Sequence, residues 1–91
     1  MTVQLHIIVE GRVQGVFFRH NAKIQADTLG LAGWVRNLED GRIEIVAQGQ
    51  KKKLESLLEW ASKGPPAGKV NKVTHELGQA KEKFTYFEIR R

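Results

Sequence analysis

The sequence predicts an α+β fold with two helices on one face of an antiparallel sheet. Three observations carry that expectation. Val3, Leu5, Ile7 and Val9 alternate with Gln4, His6 and Glu10, the period of a strand with one buried face. Leu54, Leu57, Leu58 and Ala61 recur at i, i+3, i+4 and i+7, the period of a helix with one apolar stripe. Taken along the chain, such segments fall in the order β-α-β-β-α-β, with a short terminal strand after them.

Each element has its own warrant. The first strand leads into Gly11-Arg12-Val13-Gln14-Gly15-Val16-Phe17-Phe18-Arg19, a loop bracketed by glycines. Phe18, Ala22, Ala26 and Leu29 keep helical spacing over residues 18–29, and Gly30 suits the turn that ends a helix. Residues 33–38 read as the second strand. Glu39-Asp40-Gly41 follows as a turn, and Asp-Gly between apolar runs is a strong hairpin signal. The returning strand, residues 42–48, places Ile43, Ile45 and Ala47 on one face. Residues 50–63 form the second helix, with Trp60 off its stripe as a rim residue. Gly64-Pro65-Pro66-Ala67-Gly68 stops it, because proline has no N–H to continue the ladder. Residues 69–77 read as a strand with Val73, His75 and Leu77 on one face. Residues 84–89 read as the last, with Phe87 and Ile89 inward. Two βαβ halves joined by a hairpin make the ferredoxin-like, split βαβ arrangement.

Composition bounds the function. A chain of 91 residues implies a single domain, residues 1–91, with one modest core. An apolar content of 41% and a charged content of 27% suit a globular chain rather than a disordered one. No apolar run is long enough to span a membrane, and the first residues lack the apolar core of a signal peptide. Without cysteine there is neither a disulfide nor a thiolate nucleophile. A cytoplasmic monomer is the expectation. The net charge of +5 suits an anionic partner, although Lys51-Lys52-Lys53 and Arg90-Arg91 read as solvated charge.

The glycine loop is where that partner would bind. A strand, a loop and a helix N-terminus together present inward N–H groups and the positive end of a helix dipole. Arg19 adds a planar fork for two phosphate oxygens. The same residues also fit a plain turn with a solvated arginine, and short glycine motifs do not separate the two. Asn37 ends the second strand. Its amide would hold a water for attack on phosphorus if it meets Arg19; otherwise it is ordinary turn chemistry, and spacing leaves both open.

Several routes are missing. His6, His20 and His75 are far apart in sequence and no Asp-x-Asp pair exists, so no metal is expected. No Gly-Lys-Ser/Thr follows the loop, which argues against a nucleotide P-loop. His20 reads as an exposed first-turn residue rather than a nucleophile or acid. What survives is electrostatic catalysis with no acid for the leaving group. That suits an acyl phosphate, whose carboxylate leaves with a pKa of only about 4.

At this point the residues resemble a known family, the acylphosphatases. The likeness rests on the loop of residues 11–19, on Leu29-Gly30-Leu31-Ala32-Gly33-Trp34-Val35-Arg36-Asn37 and on Asp40-Gly41-Arg42-Ile43-Glu44. Gly64-Pro65-Pro66, Val70-Asn71-Lys72-Val73 and Phe87-Glu88-Ile89-Arg90 extend it over nearly the whole chain. The resemblance implies hydrolysis of the carboxyl-phosphate bond to carboxylate and inorganic phosphate, with no metal or cofactor and with phosphate as product and inhibitor. It implies that Arg19 binds the phosphoryl group and that Asn37 orients the attacking water. The backbone N–H groups of Gln14, Gly15, Val16, Phe17 and Phe18 would cradle the phosphate, which itself takes the water's proton. One departure stands out: many relatives carry Ser or Thr where this chain has Ala22, which removes a hydroxyl that would brace the loop or the asparagine.

Two rivals share the fold. One is a non-catalytic phosphate-binding or acyl-phosphate-binding domain. The other is an RNA-binding module, which has the same element order but stacks bases on central-strand aromatics. Here Ile43, Ile45 and Val46 offer no ring, so a small acyl phosphate is the expected partner, with neither nucleic acid nor membrane.

Overall fold

A computed structural model describes residues 2–90. The elements are β1 (Val3–Arg12), α1 (Phe18–Thr28), β2 (Ala32–Asn37), β3 (Ile43–Gly49), α2 (Lys51–Lys63), β4 (Lys69–Gln79) and β5 (Phe87–Arg90). Their order is the one the hydrophobic periods predict. Leu5, Ile7 and Val9 of β1 and Ile43, Ile45 and Ala47 of β3 are buried, as alternation requires. Phe18, Ala22 and Ala26 of α1 and Leu54, Leu57 and Ala61 of α2 close over them. Trp60 is half-buried at the rim, its ring 5.0 Å from that of Phe18.

Helix α1 ends as Gly30 suggests. The N–H of Leu31 reaches the carbonyl of Ala26 at 2.8 Å and that of Gly30 reaches Asp27 at 3.1 Å. With Gly30 at φ 70°, this is a Schellman ending. The β2–β3 connection is a three-residue loop. The N–H of Leu38 bonds the carbonyl of Arg42 at 2.8 Å, that of Gly41 bonds Leu38 at 3.2 Å, and the Asp40 carboxylate accepts from the Arg42 N–H at 3.1 Å.

The sheet order is β4-β1-β3-β2-β5. Three of its ladders are antiparallel, but β5 pairs parallel to β2, with Gly33 opposite Phe87 and Val35 opposite Ile89. The sheet is therefore mixed, which corrects the all-antiparallel expectation. The cause lies between β4 and β5, where the chain crosses to the other edge. Buried Gln48 holds that crossing, donating to the Glu82 carbonyl at 2.6 Å and accepting from the Phe84 N–H at 3.0 Å. β5 thus enters from the end at which β2 begins.

Two smaller expectations also change. Val73, His75 and Leu77 do share the helix-side face, being paired with Val9, Ile7 and Leu5, but His75 and Leu77 are exposed. β4 is an edge, and only Val70 and Val73 reach the core. Arg90 is not simply solvated: its guanidinium lies 4.9 Å from the Trp34 ring and 5.7 Å from that of Phe84. Arg91 lies outside the described residues.

Candidate active site

The register settles whether Arg19 and Asn37 meet. β1 and β2 are both antiparallel to β3, so they run parallel to each other and finish at the same end of the sheet. Val9 pairs with Ile43, and Ile43 pairs with Asn37, which sets all three at one level. The loop that follows β1 therefore rises beside the end of β2. Arg19 and Asn37 line one open cleft of about 630 Å³, together with Val13, Gly15, Phe17, Phe18, His20 and Ile89.

The loop is shaped to expose its N–H groups. Gly15 lies at φ 74°, and Phe17, the residue before α1, lies at φ 62° and ψ 25°. For a residue with a side chain this left-handed conformation costs about 1–2 kcal/mol. Among the described residues, the backbone N–H groups of residues 14–20 have no acceptor; the first helical bond runs from Asn21 to the Phe17 carbonyl at 3.0 Å. No side chain caps α1, and no carboxylate stands in its first turn. Gly15, Phe17, Phe18, Arg19 and His20 of this stretch line the cleft, so unpaired donors and the positive end of the helix dipole lie at it; Gln14 and Val16 are not among the lining residues.

Arg19 is a cation without a carboxylate among the described residues. Arg36, Arg42 and Arg90, in contrast, each sit 2.7–3.3 Å from one. Among the described residues no Asp or Glu lines the cleft. Asn37 shows the complementary irregularity. Among the described residues its Oδ1 is buried with no hydrogen-bond partner, its Nδ2 has none either, and the residue lines the cleft. An N–H donor at that spot can hold a water by its oxygen. Beside Asn37, Arg36 and His6 donate to the two oxygens of Glu44, at 2.7 and 2.6 Å, and so tie β2 to β3 and β1. Burial alone would raise the Glu44 carboxyl, but those two hydrogen bonds outweigh it and hold it below the usual carboxylate range.

The side chain of Gln14 is the part that sequence reasoning missed. Its amide donates to the carbonyls of Leu38 at 2.8 Å and Arg42 at 3.0 Å, the same pair that closes the β2–β3 hairpin. It clamps the loop to the strand end that carries Asn37. No local pattern marks this, since the partners lie 24 and 28 residues away. The loop is also held by Asn21, whose Nδ2 donates to the Phe17 carbonyl at 3.0 Å. Ala22 is wholly buried in the core. Gln14 and Asn21 hold the loop without a hydroxyl at position 22, and the Asn37 oxygen has no partner among the described residues.

Comparison with known proteins shows relatives along nearly the whole chain. A family model described as Acylphosphatase matches residues 5–89. The chain is 45% identical over 87 residues to an acylphosphatase of Acaryochloris marina, covering 96% of this chain and 92% of that one. It is 46% identical over 82 residues to one of Marinobacter nauticus, covering 90% and 89%. The crystal structure of an acylphosphatase from Bacillus subtilis superposes with a TM-score of 0.94 at 42% identity, over 98% of this chain and 99% of that one.

Proposed function

Because this chain belongs to the acylphosphatase family and is an enzyme that hydrolyses acyl phosphates, we propose that it does so by electrostatic catalysis without a metal or cofactor. The observation that carries this reading is that one cleft is lined by Arg19, by the loop residues Gly15, Phe17 and Phe18 and by Asn37, whose guanidinium, N–H groups and amide oxygen have no partner among the described residues.

Arg19 holds two phosphoryl oxygens through its guanidinium fork. The N–H groups of Gln14, Gly15, Val16, Phe17 and Phe18 bind the same group, in fixed directions that need no reorganisation during reaction. The Nδ2 of Asn37 donates to the oxygen of a water and keeps it opposite the acyl oxygen. The water's lone pair forms the new P–O bond as the bond from phosphorus to the acyl oxygen breaks, and the electron pair leaves on the carboxylate. That leaving group has a pKa of about 4 and needs no acid. The water's proton passes to a phosphate oxygen, which makes inorganic phosphate the product and an inhibitor at the same donors.

In this reading the domain, residues 1–91, works as a cytoplasmic monomer on a small molecule. Nucleic acid is not its partner. The one aromatic of the open sheet face on β2, Trp34, already has the Arg36 and Arg90 guanidinium groups 5.1 and 4.9 Å from its ring centre. The test is carboxylate release from benzoyl phosphate in excess chelator, for wild type, Arg19→Ala and Asn37→Ala. Turnover that resists chelator and collapses in both variants is expected. Loss of wild-type turnover to chelator, or variants as fast as wild type, overturns the mechanism.

A further inference from the structure

The cleft is larger than a phosphoryl group requires, and besides Arg19, His20 and Asn37 the side chains that line it are apolar. Its volume of about 630 Å³ is roughly twenty times the share of one water, whereas a phosphoryl group has only four heavy atoms. Two lining side chains have no part in holding phosphate. Phe17 is 75% exposed and Ile89 is 38% exposed.

Folding does not explain an exposed phenylalanine at position 17, and it leaves over a third of Ile89 uncovered on the core-side face of the sheet. Phe17 occupies the left-handed region, where glycine or asparagine is the inexpensive choice. Its ring meets solvent, so it contributes little burial to offset that strain. Ile89 lies opposite Val35 in the β2–β5 ladder. Val35 shares a face with Asn37, two residues on, so Ile89 flanks the amide. One apolar group thus stands on the loop and one on the edge strand, and both line the cleft that Arg19 and Asn37 share.

Resting on the acyl-phosphate reading above, we infer that Phe17 and Ile89 form an acyl subsite that selects substrates with an apolar, preferably aromatic, acyl group over small polar ones. A ring attached to the acyl carbon packs against the Phe17 ring and is shielded by Ile89. Contacts made by this non-reacting part orient the bond from acyl oxygen to phosphorus. Among the described residues no carboxylate lines the cleft to favour a cationic acyl group.

The experiment is a ratio: kcat/KM for benzoyl phosphate divided by that for acetyl phosphate, in wild type, Phe17→Asn and Ile89→Thr. Any loss common to phosphoryl handling cancels, and the difference between the two leaving groups is the same in every variant. Asparagine tolerates the left-handed backbone, so the loop keeps its shape. The ratio is expected to fall roughly tenfold in Phe17→Asn and about threefold in Ile89→Thr. A ratio within about twofold of wild type in both variants overturns the subsite, twofold being well below one good apolar contact. Dissociation constants for phenylphosphonate and methylphosphonate supply a second ratio that needs no turnover. It should shift in the same direction, and no shift counts against the subsite. A wild type that hydrolyses neither substrate contradicts the mechanism instead, and the phosphonate ratio still decides the subsite.

Discussion

The side-chain amide of Gln14 donates to the backbone carbonyl of Leu38 at 2.8 Å, across 24 residues of sequence. This bond and its companion to Arg42 tie the loop of residues 11–19 to the strand end that carries Asn37. Both carbonyls keep a second partner within the hairpin, so losing the amide leaves neither bare. Gln14→Ala is therefore expected to cost only about 1–2 kcal/mol of stability. It should lower kcat by roughly tenfold to a hundredfold, because small misplacement of reacting groups is expensive. Denaturant unfolding and steady-state kinetics, run side by side, check the split.

Arg19→Ala should reduce kcat/KM by roughly a hundredfold to a thousandfold, as removal of an oxyanion donor does. Arg19→Lys should recover only part of this, since an ammonium is a point charge and not a planar fork. Equal rates for Lys and Arg would show that charge alone suffices. Inhibition by inorganic phosphate should weaken in the same order.

Asn37→Ala separates activity from stability. The buried Oδ1 without a partner costs the folded state about 1–3 kcal/mol. Removing it offsets the lost packing, so the unfolding midpoint should barely move. Turnover should still fall by roughly a hundredfold. A large fall in stability would indicate that Asn37 is a structural turn residue after all.

The Glu44 carboxyl is held below its ordinary value of 4.5, so its contribution to stability is complete above that value. It is lost as pH falls through the lower, folded-state value. Glu44→Gln should destabilise by about 1–3 kcal/mol at neutral pH, through weaker bonds to His6 and Arg36. The difference from wild type should shrink steadily below about pH 4.5. Thermal melts over a pH series test this; a difference that grows in acid would reverse the assignment.

Phe17→Asn should raise stability by about 1 kcal/mol, since the left-handed backbone is strained for phenylalanine and tolerated by asparagine. Equilibrium unfolding measures it. A loss of stability would mean that the exposed ring packs on its surroundings more than its exposure suggests.

The element order, the buried stripes, the Gly30 helix ending and the three-residue hairpin were legible in the sequence, because each depends on residues a few positions apart. Arg19, Asn37 and the loop were legible too, as residue types that suit phosphate and as motifs resembling a family. Local periodicity carries no record of which strand lies beside which. That Arg19 and Asn37 share a cleft follows from β3 lying between β1 and β2 and forcing them parallel. That β5 pairs parallel, and so brings Ile89 beside Asn37, follows from a crossing held by buried Gln48. The Gln14 clamp and the left-handed Phe17 likewise arise only where the loop is closed against the hairpin. Residue types and short-range spacing specify the parts and the chemistry they permit. Their meeting depends on strand register and loop closure, which are set by contacts between distant residues.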